Sequence, residues 1–277
     1  MPTKATFPVF ENPPVAEVAL SVQFSPLTTM RAAHFGLLWT QFRADFPRTE
    51  EQPPLAHFVE TFGKPQSPAI EVQIETTPPM PRCWFLNKPG TELIQVQQDR
   101  FIHNWRRLAT DTAYPRYSNL RETFVRNLKA FREFVDQEQL GEIVPDQCEL
   151  TYIDHIEQFG VWKRHGEIEK VIRLWNPGTG ARPPGQPENM RFEVKYIIAD
   201  AKETPLGRIS VQVIPAFRRA DSLPIFVMQS IARGSPIGEG TDGVLAFLDL
   251  AHEWQIKTFV SMTTEEMHKA WRMRDES

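Results

Sequence analysis

A single carboxylate interrupts an otherwise apolar set of alternate residues. Cys148, Leu150, Tyr152, Asp154 and Ile156 share one parity, and Glu149, Thr151, Ile153, His155 and Glu157 share the other. Alternate residues of a strand face one side of its sheet. If the first set faces inward, Asp154 lies among apolar neighbours, where a carboxylate must be paired or protonated. Beside Tyr152 it then reads as a ligand-orienting or acid–base group. The alternative is a structural carboxylate that accepts backbone amides or pairs with an arginine, or a strand that twists into solvent at its end.

A second candidate is the run His103-Asn104-Trp105-Arg106-Arg107. Alternation puts His103 and Trp105 on one face and Asn104 and Arg106 on the other. An aromatic platform beside a guanidinium suits an anionic or planar ligand. The plainer reading makes Trp105 core and leaves the arginines in solvent.

Other motifs dissolve on inspection. His252-Glu253 begins like a metalloprotease helix, but the position that needs a second histidine is Ile256. The glycine-rich stretch 234–243 precedes a helix, yet it has neither the lysine of a phosphate-binding loop nor a dinucleotide spacing, and Glu239 and Asp242 would repel phosphate. It reads as a turn and a cap. No Gly-x-Ser-x-Gly elbow occurs. Cys83 and Cys148 are the only two cysteines, too few for a structural zinc site or a disulfide scaffold. No metal or cofactor is expected, and the reading leans away from an enzyme.

The elements that must position these residues follow from periodicity. Residues 15–24 alternate, with Val18, Leu20, Val22 and Phe24 opposing Glu17, Ser21 and Gln23. A helix capped at Thr28 or Thr29 runs to Phe46, with Met30, Ala33, Leu37, Leu38, Phe42 and Phe46 as its apolar stripe. The proline-rich stretch 48–68 holds a short strand near Phe58–Phe62, and 70–75 forms another. Lys88-Pro89-Gly90-Thr91 turns a hairpin between 83–87 and a return strand from Glu92 to Arg106, with a bulge at Gln98-Asp99. A helix over 118–140, capped at Ser118 or Asn119, is followed by strands at 147–157, 191–199, 208–215 and 224–232. Residues 175–189 contain four prolines and three glycines and read as a cover loop. Asp242 caps the next helix, and a Thr263/Glu266 capping box opens the last.

This order predicts an α+β fold: an antiparallel sheet of about eight strands covered by helices on one face. The strand–helix–strands order occurs twice, which suggests two pseudo-equivalent halves, 1–110 and 111–277, within one continuous unit. With 41% hydrophobic residues, 19 Phe and 7 Trp, the chain can bury a large core and is not of disordered type. A net charge of −4 supplies no field toward nucleic acid or anionic membrane. Arginine outnumbers lysine about two to one, but the arginines are dispersed, as genomic base composition alone would give. No signal pattern or membrane-length apolar run appears, so a cytoplasmic protein with free thiols is expected.

Several segments together resemble a sporadically distributed bacterial protein family of unassigned function. They are Asn12-Pro13-Pro14-Val15 with Glu17-Val18 and Phe24-Ser25-Pro26-Leu27, Asn104-Trp105 with Tyr114-Pro115, Thr151-Tyr152-Ile153-Asp154, and Leu248 through Glu253 with Thr263-Thr264 and Trp271. They span nearly the whole chain. The family carries asparagine where this chain has Asp154, which implies hydrogen bonding there rather than acid–base work. Sporadic distribution implies an accessory system, such as phage defence or a toxin–antitoxin-like module. The expected function is a non-catalytic binding or adaptor protein that holds a partner protein or small ligand against its sheet, with Asp154, Tyr152, His103, Asn104, Trp105 and Arg106 as candidate binding residues. The alternative is an enzyme with an unfamiliar site centred on Asp154 and Tyr152.

Overall fold

The computed structural model describes residues 7–63, 80–108, 112–174, 185 and 187–274. Its strands are β1 (Val9–Phe10), β2 (Val15–Phe24), β3 (Arg48–Gln52), β4 (Arg82–Leu86), β5 (Glu92–Gln97), β6 (Arg100–Arg106), β7 (Pro145–Ile156), β8 (Phe192–Ala199), β9 (Pro205–Phe217), β10 (Pro224–Gly234) and β11 (Met273–Arg274). Its helices are α1 (Ala32–Phe42), α2 (Arg116–Gln137), α3 (Gly240–Met262) and α4 (Glu265–Ala270), with a 3-10 turn at His165–Lys170. Nine strands form one sheet in the order β3-β4-β5-β6-β2-β7-β10-β9-β8. Every neighbouring pair is antiparallel. β1 and β11 pair separately and join the two ends of the described chain. The fold is therefore α+β with an antiparallel sheet and helical cover, as the periodicity predicts.

On each side of the central β2–β7 pair the chain takes the same route. An opening strand, then α1 or the 3-10 turn, and a meander of four or three strands end in a strand that returns to the opening one, β6 to β2 and β10 to β7, before a long helix follows. The even-numbered residues from Val18 to Val22 of β2 and from Cys148 of β7 onward face α2 and α3. Phe101 stacks on Phe131 at 5.3 Å and meets Phe124 at 6.0 Å, sealing α2 against the sheet. Under α3, Gly207 and Gly234 are cross-strand partners. A Cβ on either would come within 2.8 Å or 2.2 Å of the Phe247 ring, so these two glycines let the ring rest on the bare backbone.

Several local expectations are corrected. The strand from Glu92 to Arg106 is two strands, because Gln98-Asp99 is a two-residue turn with Gln97 opposite Arg100. The parity switch from Ile94 and Val96 to Phe101 and Trp105 is what a bulge and a tight hairpin have in common. In α1 the buried residues are Phe35, Leu38 and Phe42, whereas Ala33 and Leu37 face solvent. That helix starts at Ala32, where the His34 ring accepts the Arg31 amide. It ends at Phe42, although Phe46 is still buried beyond it. α2 opens directly after Pro115, which leaves Ser118 and Asn119 inside its first turn. α3 begins after Glu239, and Asp242 lies in its first turn without capping it. Thr264, not Thr263, caps α4 through the Met267 amide. No strand forms at Phe58–Phe62. The predicted strand at 70–75 lies outside the described residues, as does the 175–189 loop apart from Gly185 and 187–189.

Cys83 and Cys148 are free and buried, and burial pushes the Cys83 thiol up to about 11 and Cys148 higher still. No helix among the described residues is long and apolar enough to cross a membrane.

Candidate functional site

Register decides which candidates meet. Trp105 of β6, Val18 of β2, Tyr152 of β7 and Ser230 of β10 form one row across the sheet. Asp154 sits two residues along β7, opposite Val15 and Met228 and on the helix side of the sheet. It is buried, as the parity argument requires. No hydrogen bond or ion pair reaches its carboxylate among the described residues. Burial pushes its pKa from 3.8 up to about 7, with the Arg107 guanidinium pulling back. The Arg107 Nε is itself buried without a partner.

Tyr152 is the hub of an aromatic cluster. Its hydroxyl lies 3.0 Å from that of Tyr114 and 3.1 Å from His252 Nδ1. The His252 ring stacks on Tyr117 at 3.9 Å. Tyr117 donates to Asp249 at 2.9 Å, and Arg121 forks onto the same carboxylate at 2.7 and 2.9 Å. Tyr114 also packs 5.6 Å from Trp105, bridging the gap that Val18 leaves in the row. Burial lowers His252 to about 4 and raises Tyr114 to about 12, so both are neutral at pH 7. A neutral imidazole can accept the Tyr152 proton. The cluster ties the start of α2 and the middle of α3 to the centre of the sheet.

His103 does not join it. His103 lies in the next row, opposite Leu20 and Ile94, about 16 Å from Asp154 by strand spacing and rise. It is fully buried, neither ring nitrogen has a hydrogen bond, and burial lowers it to about 4. Glu92 lies 3.8 Å from Nε2, and the Arg126 guanidinium adds to the lowering.

Asn104 and Arg106 are on the opposite face. Asn104 donates to Glu17 at 2.7 Å and accepts from Gln95 at 2.7 Å. Arg106 donates to the Gly90 carbonyl at 2.8 Å and lies over Trp84. The six candidates are thus divided by the sheet, with Asp154, Tyr152, His103 and Trp105 under the helices and Asn104 and Arg106 on the other side, which no helix among the described residues covers.

That uncovered side carries a feature with no signature in the sequence. Residues 53–63 leave β3 and cross the strand ends as an extended strap without regular structure. Gln97 accepts the Leu55 amide and donates to the Leu55 carbonyl, both at 2.9 Å. Gln23 does the same for Phe58, at 3.0 and 2.9 Å. Gln147 accepts the Glu60 amide at 2.6 Å. Arg100 takes the Ala56 carbonyl and Arg208 the Thr61 carbonyl. His57 sits between the carboxylates of Asp99 and Asp146, 2.9 and 3.2 Å away. Arg208 pairs with Glu60.

Beside the strap is a trough of about 240 Å³ over β8, β9 and β10. Phe58, Glu193, Lys195, Ser210, Gln212 and Gln229 are among its walls. Glu193 is held by Lys195 and Ser210. Gln212 and Gln229, directly opposite in the β9–β10 register, have no side-chain partner among the described residues.

The described residues contain no group of three or more His, Cys, Asp or Glu able to hold a metal ion. Asp154 and Tyr152 were visible from parity. Tyr114, Tyr117, Asp249 and His252 were not assigned to a site, although Tyr114-Pro115 and 248–253 belong to the segments that carry the family resemblance. No protein family, curated protein or solved structure compared with the chain matches it.

Proposed function

We propose that this chain is a non-catalytic binding protein that holds part of a partner protein on the uncovered face of its sheet. The trough carries the reading, because its floor offers the Gln212 and Gln229 amides with no side-chain partner among the described residues and most of its lining is polar. At about 240 Å³ it is smaller than the pockets that enclose drug-sized ligands, and it suits a side chain or short segment of a larger partner. The resemblance to a sporadically distributed bacterial family supports a partner encoded nearby in an accessory system. Panning a random peptide library on the chain, with Gln229→Arg as the counter-target, tests the binding face. Peptides retained by the chain and lost on the variant are expected. Absence of enrichment, or equal enrichment on both, would overturn the reading.

One observation favours a second reading, an enzyme centred on Asp154 and Tyr152: a buried carboxyl without a partner beside a Tyr–Tyr–His hydrogen-bonded chain. A site of that kind needs a route for substrate. Carbodiimide labelling of the folded chain at pH 6, read by mass spectrometry, tests for one. Modification of Asp154 would favour this reading, and a carboxyl that reacts only after unfolding would remove it.

A further inference from the structure

We infer that the strap at residues 53–63 is a resident pseudo-ligand: it occupies a track built for an extended segment of a partner polypeptide with an aromatic-x-acidic-x-aromatic pattern, and that segment displaces it. The inference rests on the uncovered face being a binding face. The first support is how the strap is held. No residue of 53–63 is buried, and none makes a backbone–backbone hydrogen bond among the described residues. Phe58 and Val59 are 37% and 44% exposed. A segment that belonged to the core would insert apolar side chains or join the ladder. This one is gripped instead through its main chain, with four carbonyls (55, 56, 58, 61) and three amides (55, 58, 60) all engaged by side chains of the sheet. Side-chain amides that read main-chain groups accept any sequence in an extended conformation.

The second support is the floor. Gln23, Gln97, Gln147, Asp99 and Arg100 are buried beneath the strap, yet all are polar, so water can replace the strap at small cost. The third is an imperfect fit. Gln97 and Gln23 each use both ends of their amide on the strap, whereas Gln147, although buried, leaves Nε2 without a partner. A segment that also delivers a carbonyl to Gln147 gains a bond that the strap does not make. The pattern comes from three side chains that touch, beside His57 between Asp99 and Asp146: Arg233 lies 5.0 Å over the Phe58 ring, Arg208 lies 5.4 Å over Phe62, and Arg208 pairs with Glu60 between them.

The test uses a fluorescent peptide with the sequence of residues 53–63 and the full chain carrying Phe58→Ala, Glu60→Ala and Phe62→Ala, which loosens its own strap. Fluorescence anisotropy should show saturable binding at least about tenfold tighter than to the unaltered chain, whose strap competes intramolecularly. Adding Arg208→Glu to the loosened chain should abolish that binding and restore binding of the peptide that carries lysine in place of Glu60. A loosened chain that is folded by circular dichroism yet binds no peptide, or binding indifferent to Arg208→Glu, overturns the inference. If library peptides are still enriched through Gln229 in that case, the binding face stands and only the pseudo-ligand falls. If neither probe binds, both fall.

Discussion

Gln23 and Phe58 exchange a reciprocal pair of hydrogen bonds across the uncovered face, side-chain amide to main chain, at 3.0 and 2.9 Å. The geometry is that of a ladder rung in which one strand has been replaced by a side chain. Gln23 also accepts from Arg100 and lies against Asp146, so the rung is fixed from below.

Gln23→Ala should release the middle of the strap while leaving the sheet intact. The Phe58 amide is then expected to lose hydrogen-exchange protection, with β2 and β6 amides unchanged. The cost in global stability should be about 1–3 kcal/mol, set mainly by the Arg100 contact left behind.

Asp154 should make stability fall as pH rises. Its folded pKa, about 7, lies above the ordinary 3.8, so between these values the native state binds more protons than the unfolded chain. This contribution is complete below pH 3.8, disappears through pH 7 and is bounded at about 4 kcal/mol. His103 and His252 act in the opposite sense. Their folded values, about 4, are below the ordinary 6.5, so the stability they give is present above pH 6.5 and lost on acidification. Urea unfolding of Asp154→Asn should therefore show the variant gaining on the unaltered chain between pH 4.5 and 7.5. A difference independent of pH would contradict a protonated, buried Asp154.

Tyr152→Phe removes one oxygen and strands two partners, the Tyr114 hydroxyl and His252 Nδ1. A loss of about 1–3 kcal/mol is expected in chemical denaturation. Tyr114→Phe, at the end of the chain, should cost less.

Gly234→Ala places a methyl 2.2 Å from the Phe247 ring and from the Leu206 carbonyl. Overpacking of this kind costs about 1–3 kcal/mol or more. Because the carbonyl cannot be trimmed, Phe247→Leu should recover only part of the melting temperature.

Much of the sheet was legible because alternation is a local signal. Val18, Leu20 and Val22 face the helices and Gln23 the other side, as their spacing implies, and Asp154 stood out because it breaks such a pattern. α1 was misread at Leu37 because adjacent leucines fit a stripe on either side of a helix, and only the positions of α2 and β4 select Phe35 and Leu38. The aromatic cluster was illegible because Tyr152 and His252 are 100 positions apart in the chain and meet only once α3 lies across β7. The strap was missed for a different reason: a proline-rich segment held through its main chain has no side-chain periodicity to read.

The outer strands of the sheet bear on where a partner can sit. β3 and β8 have no further neighbour among the described residues, and an unpaired strand invites another chain to extend the sheet. β3 presents Arg48, Glu50 and Glu51, and β8 carries Glu193 and Lys195, a distribution of charge that discourages edge-to-edge growth. Sheet extension, one recurring way for a chain to meet a β protein, is thereby disfavoured at both margins, which leaves the broad surface between them for the proposed partner.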